Sequence, residues 1–256
     1  MSNILLASPL PIAGIAASRG AGAGNLVTYD PKEVWLDSAA GSAATIDIDL
    51  GSVGWIDTIA LVAVYGAAAG ATWSITGGSA GYAETVLKAS GALRANDAYG
   101  QFPSVSHAFW YSVPWLVRYI RITVLQPAGS APLAIGRALV SRMFMPTWNK
   151  EWGSGRGVID TGKATRLVGG GFASVEGARL AGYSWTLGDL TDEEVETLYA
   201  LQLDCGETGP LLVVEDPAAT QGLRNRIHYG LFTGLRRFER RDVSLTRWEL
   251  TIEEWI

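Results

Sequence analysis

The chain has 256 residues, 48% of them hydrophobic and 18% charged, a composition that supports one large or two ordinary packed units and excludes a disordered chain. A net charge of −5 gives no electrostatic ground for gripping a polyanion, which excludes nucleic acid as a main partner. One cysteine and two histidines exclude an internal disulfide and a cysteine-based zinc site and leave few metal ligands, so neither metal nor cofactor is expected.

The N-terminal stretch MSNILLASPLPIAGIAAS has the small residues of a secretion signal. No Lys or Arg precedes its apolar part, and Pro9 and Pro11 interrupt it, so it reads as mature chain. Thr45–Leu50 alternates Ile46, Ile48 and Leu50 with Asp47 and Asp49, the pattern of a strand with one wet face. Residues 59–65 form a continuous apolar run, and 73–76 and 109–113 are β-prone. The uncharged stretch 58–83 is cut by Gly66, Gly70, Gly77 and Gly78, so two strands and a loop are expected and no membrane insertion. Residues 119–124 alternate again, with Ile120, Ile122 and Val124 against Arg121 and Thr123. No capped helical pattern precedes residue 140, and short strands with glycine-rich turns predict a jelly-roll β-sandwich.

Charge density then rises: residues 1–136 hold 6 basic and 8 acidic side chains, and residues 137–256 hold 14 and 17. The segment 126–137 supplies Pro, Gly and Ser near the break, which places a boundary near residue 140 and divides the chain into 1–140 and 141–256. The second part holds one convincing helix, 191–205. Thr191 caps it, Glu194 is the capping-box partner, and Leu190 with Val195 forms a hydrophobic staple. Val195, Leu198 and Leu201 make the apolar stripe and Gly206 ends it. Strands are expected at 183–187, 211–215, 227–234 and 248–252, so this part is β structure with one packed helix.

No catalytic motif is complete, and no catalytic residue is assigned. Gly157-Val-Ile-Asp-Thr-Gly-Lys163 matches a phosphate loop until Ala164 stands where a hydroxyl is needed, so a glycine-rich strand connection is expected. The carboxylate pairs Asp47/Asp49, Glu215/Asp216 and Glu253/Glu254 look like strand faces and solvated turns rather than an acid/base pair. His107 and His228 are far apart in sequence and read as polar residues at strand edges. Of ten tryptophans, Trp73, Trp185 and Trp248 lie in strand patterns and are expected in the core. Trp148, Trp152 and Trp255 sit at a junction or the chain end, where an interface is expected. The arginines Arg236, Arg237, Arg240 and Arg241 are interrupted by Glu239 and Asp242 and fit inter-subunit ion pairs as well as anion contact.

Ala17-Ser18 through Asn25-Leu26 and Trp35, then Ala44–Gly51, Ile56–Val62 and Arg118–Thr123, resemble in order and spacing the galactose-binding, discoidin-like jelly roll. Residues 183–187, the helix, 210–217, 229–232 and the terminal Trp248–Trp255 resemble the distal tail and baseplate-hub proteins of tailed bacteriophages. That second resemblance implies a tail-tube-like β-barrel with one helix outside it. It also implies a non-enzymatic ring subunit of a virion tail tip, assembled in the host cytoplasm and linking tube, hub and fibre proteins with six-fold or three-fold symmetry. The contacts expected in the ring are Arg236, Arg237, Arg240, Arg241, Trp248 and Trp255. The alternative is a carbohydrate-binding protein that recognises host-surface glycans through residues 1–140, with Tyr29 or Tyr82 as the stacking ring and Asp30 or Glu84 as the acceptor.

Overall fold

The computed structural model describes residues 2–95 and 105–255. The first nine strands are β1 (Leu5–Ala7), β2 (Gly14–Ala17), β3 (Trp35–Leu36), β4 (Ala43–Tyr65), β5 (Thr72–Gly78), β6 (Thr85–Ala92), β7 (Val105–Leu125), β8 (Ala134–Ser141) and β9 (Met143–Phe144). Then come β10 (Gly155–Asp160), β11 (Lys163–Arg166), β12 (Phe172–Val175) and β13 (Arg179–Leu190), the helix α1 (Asp192–Cys205), β14 (Leu211–Val214), β15 (Ile227–Phe232), β16 (Glu239–Arg240) and β17 (Thr246–Glu254). The chain is mainly β, as expected, with one α-helix among the described residues.

Strands β3-β8-β4-β7-β5-β6, with β2 on β4, build the N-terminal β-sandwich. Ile46, Ile48, Ile120 and Ile122 face its core with Trp35 and Trp73, as their alternation requires. The regions read as separate short strands are two long ones. β4 and β7 run through both layers, bent by register breaks between Asp49 and Gly54 and between Leu61 and Val64. At the second break Ala63 has φ 54°, and the buried imidazole of His107 accepts a hydrogen bond from its N–H at 3.2 Å through Nδ1. A residue forced to positive φ thus has its backbone donor satisfied from the neighbouring strand.

The second sheet has the order β10-β13-β17-β15-β14-β1-β9, with β16 on β17. It is open: among the described residues it closes into no barrel, which corrects the tube-like expectation. The short edge strands β9 and β10 end it, and neither pairs with the other to close a cylinder. Strand β1, from the extreme N-terminus, lies inside this sheet, with Leu5 opposite Val214 and Leu6 opposite Phe144.

One face of the second sheet packs on α1. Trp185, Trp248, Leu250 and Ile252 meet Leu198 and Leu201 of the helix there. The helix begins where the sequence places it: Thr191 accepts from the Glu194 N–H while the Glu194 carboxylate accepts from the Thr191 N–H. Such a cap contributes about 1 kcal/mol. The opposite face meets the sandwich, where Leu5, Leu212, Val214, Ile227 and Tyr229 pack against Ala60, Val62 and Leu139. The apolar run 59–64 is therefore buried on both sides: Ile59, Leu61 and Val64 face the sandwich core and Ala60, Val62 and Ala63 face the second sheet, the alternation shifting by one at the Leu61/Val64 break.

Candidate ligand-binding cleft

Arg137 lies in β8, opposite Val62, on the same strand face as Leu139 and so on the side that meets the second sheet. It is 4% exposed. Its guanidinium donates to the hydroxyl of Tyr229 at 2.5 Å and lies 4.8 Å from the ring of Tyr29 and 5.5 Å from that of Tyr229. Tyr229 in turn donates to the carbonyl of Tyr29 at 3.0 Å. Burial is the main cause that raises the Tyr229 phenol, to about 12, so it keeps its proton and can make that bond.

Beside this group opens a cleft of about 580 Å³. Leu10, Ile12, Val27 and Val140 supply its apolar wall, Tyr29 and Arg137 its aromatic and charged side, and Asp204 in the last turn of α1 and Pro210 after it the remaining side. Cys205 borders it too, but burial and the neighbouring Asp204 charge push its thiol up to about 11, which leaves no nucleophilic thiolate at neutral pH. The volume falls in the range of small-molecule sites, about 300–1,000 Å³.

The four expected sugar-binding residues divide between two places. Tyr29 lines the cleft and Asp30 follows it, with Asp30 accepting from the Lys32 N–H at 2.9 Å to shape the turn. Tyr82 stands edge-on to Tyr119 with ring centres 5.1 Å apart, beneath the guanidinium of Arg121. Arg121 is bidentate on Asp47 and Arg118 on Asp49, so these charges satisfy each other. The hydrogen bonds from Arg118 and Gly51 hold Asp49 at about 2. Glu84 accepts from the N–H groups of Ser79 and Ala80 and closes a loop. Tyr29 lines the cleft, and neither Tyr82 nor Glu84 does.

Of the expected ring contacts, Trp248 is revised. Trp248 is 1% exposed, stacked 4.8 Å from Phe238 beneath the helix, and has no surface to offer a neighbour; its place is the core, with Trp73 and Trp185. Trp255 packs on the shared core between the two sheets. Arg240 pairs with Asp192 at 2.9 Å and Arg241 with Glu151 at 2.8 Å, both inside the same chain. The Arg236 carbonyl accepts from the indole of Trp248, and Arg236 and Arg237 border a small depression with Glu239, Arg247 and Glu249. Trp148 and Trp152 are exposed.

Sequence reasoning missed a second polar group. Glu215, read as a solvated turn, is buried, and so are both histidines, read as strand-edge residues. His228 donates from Nε2 to Glu215 at 2.7 Å, Arg156 donates twice to the same carboxylate at 2.5 and 3.1 Å, and Lys150 donates at 3.4 Å. Tyr183 stacks on His228 and accepts from Lys150. Burial works to raise Glu215, but the bonds from His228 and Arg156 and the charges of Arg156 and Lys150 overcome it and hold the carboxyl at about 2. A carboxylate with every lone-pair region engaged is an ion-pair hub. His107 is held well below the usual histidine range by burial, with smaller contributions from Arg224 and His228, so the two histidines lie within electrostatic reach. One available signal for Arg137 was its position as a lone charge in the apolar run Ile135–Val140.

Among the described residues no three His, Cys, Asp or Glu side chains gather as a metal site, and no helix is long and apolar enough to cross a membrane. The phosphate-loop look-alike is strand β10, a turn and strand β11, as expected.

No family model matches the chain, and no curated protein matches it. Solved structures do. A GH29 fucosidase from Ruminococcus gnavus in complex with fucose is 16% identical over 51% of this chain, with a TM-score of 0.39, and the match spans 25% of the fucosidase. Chitosan-binding module 1 from a chitosanase/glucanase of Paenibacillus sp. IK-5 is 13% identical over 50% of this chain and 92% of its own, with a TM-score of 0.38. CBM32-3 from a family 31 glycoside hydrolase of Clostridium perfringens is 16% identical over 51% and 90%, with a TM-score of 0.41.

Proposed function

We propose that this chain is a carbohydrate-binding protein whose site is the cleft at Tyr29 and Arg137. The observation that carries the reading is the combination found there: a concavity of about 580 Å³, a half-exposed aromatic ring and a buried guanidinium facing the same space. A sugar ring offers C–H groups to an aromatic face and hydroxyls to fixed donors, and this wall supplies both kinds of partner. The flat Tyr82 surface fits less well, because its arginines are already engaged by Asp47 and Asp49. Glycan-array screening of the full chain, followed by titration of the best ligand, tests the proposal. Tyr29→Ala is expected to weaken binding about tenfold, or 1.4 kcal/mol, with the melting temperature little changed because the ring is half exposed. Absence of binding to every glycan, or unchanged affinity in Tyr29→Ala, counts against the cleft.

A second reading, a structural subunit of a virion tail tip that meets tube, hub and fibre proteins in a ring, is favoured by a different observation. Among the described residues strands β11 and β12 pair only with each other, and they form an arm whose eight strand residues are all exposed. Val168 at its tip is 110% exposed and Phe172 68%. An isolated two-stranded hairpin is marginal in water, and an apolar strip on it calls for a covering surface. If a second copy covers it, Val168→Ser with Phe172→Ser should turn an oligomer into a monomer without lowering the melting temperature. Analytical ultracentrifugation reads this, and a wild-type chain that stays monomeric at every concentration removes the self-association part of the reading.

A further inference from the structure

We propose that the ligand of the Arg137 cleft carries a carboxylate on a ring of monosaccharide size, an acidic sugar of the uronate class; this rests on the glycan-binding reading and narrows it. A guanidinium has five N–H donors. Among the described residues that of Arg137 meets a single acceptor, the Tyr229 hydroxyl, and its buried Nε meets none.

Four other arginines are treated differently. Arg19 is bidentate on Asp37, Arg118 on Asp49, Arg121 on Asp47 and Arg156 on Glu215. Arg137 is more buried than any of them and, among the described residues, forms no ion pair within 4.0 Å. A buried, unpaired charge is expensive, and the rings of Tyr29 and Tyr229 offset only part of that cost. The partner that a planar fork accepts best is a carboxylate, by two parallel hydrogen bonds.

Two nearby acids limit the charge of the ligand. Asp30 is close enough to act electrostatically on Tyr229, and Asp204 lines the outer wall of the cleft. Their repulsion disfavours a dianionic phosphate and leaves room for a monoanion whose single carboxylate reaches the fork. The body of such a ligand lies along the Tyr29 ring and the Leu10 and Ile12 wall.

The test is calorimetric titration of the full chain with D-glucuronate and with D-glucose, which has the same ring without the charge. Glucuronate is expected to bind at least about tenfold more tightly. In Arg137→Met that ratio should collapse towards one, because glucuronate loses its charge partner on top of the donor that both sugars lose, whereas a purely structural role would weaken both sugars alike and leave the ratio unchanged. Equal binding of the two sugars by the wild type overturns the uronate assignment and leaves the glycan reading standing. A ratio that survives in Arg137→Met overturns it too. If neither sugar binds, the uronate assignment falls and the glycan array decides the wider reading. Should Arg137→Met fail to fold, Arg137→Lys decides: it keeps the charge and loses the fork, and a ratio unchanged from wild type is the overturning result.

Discussion

Glu215→Ala is expected to destabilise the chain by about 3–5 kcal/mol, the usual cost of removing one member of a buried ion cluster. Three cationic or donor groups, His228, Arg156 and Lys150, converge on this carboxylate from β15, β10 and the segment after β9. Without it the imidazole N–H and the Arg156 guanidinium lose their acceptor in a place with little water, and Lys150 keeps only its bond to the Tyr183 hydroxyl. Denaturant unfolding at neutral pH measures the loss, and a change below about 1 kcal/mol refutes the hub assignment.

The same residue predicts an acid limb. Its folded-state pKa of about 2 lies below the ordinary value of 4.5, so its contribution is fully present above pH 4.5 and is lost as pH falls towards 2. The free energy at stake is about 3 kcal/mol. Stability of the wild type should therefore fall across that window more steeply than that of Glu215→Gln, which has no charge there to lose. Parallel acid limbs in the two proteins sink the argument.

The second large effect concerns the first seven residues. Leu5, Leu6 and Ala7 are fully buried, and β1 sits between β14 and β9. Leu5 faces the sandwich side and Leu6 the helix side, so this one short strand closes both cores of the second sheet. Leu6→Ala is expected to cost about 2–5 kcal/mol, a core value for a residue near a terminus. A fragment of residues 141–256 lacks β1 and exposes the whole face carrying Leu212, Val214, Ile227 and Tyr229. It is expected to show no dispersed amide spectrum and no cooperative melt, whereas the full chain shows both. A fragment that melts cooperatively shows instead that the second sheet stands without β1 and without the sandwich.

Much of the local structure was legible in the residues. Alternation at 45–50 and 119–124 identified which side chains enter the sandwich core, because a strand's side chains alternate whatever lies beyond it. The capping box at Thr191 and Glu194 located the helix to within a residue, because the atoms that satisfy its first N–H groups are supplied by residues in the same turn. The apolar run 59–65 and all but the last residue of the expected strand 211–215 do fall in strands, and the structure shows residues 59–64 and 211–214 buried on both faces.

What covers those faces was not legible. The 59–64 run says that two apolar surfaces are needed, and only the tertiary structure decides that one is the sandwich core and the other the second sheet. The same holds for the cleft. Arg137 and Tyr229 are 92 residues apart and Tyr229 and Tyr29 are 200 apart, and the acceptor-poor guanidinium exists only where β8 and β15 meet. Periodicity and capping depend on atoms a few residues apart, so the sequence determined the elements, the sandwich core and the helix start. The open second sheet, the burial of Glu215 and the surroundings of Arg137 depend on which faces pack together, and that choice is made by the summed burial of apolar surface over the whole chain rather than by any local pattern.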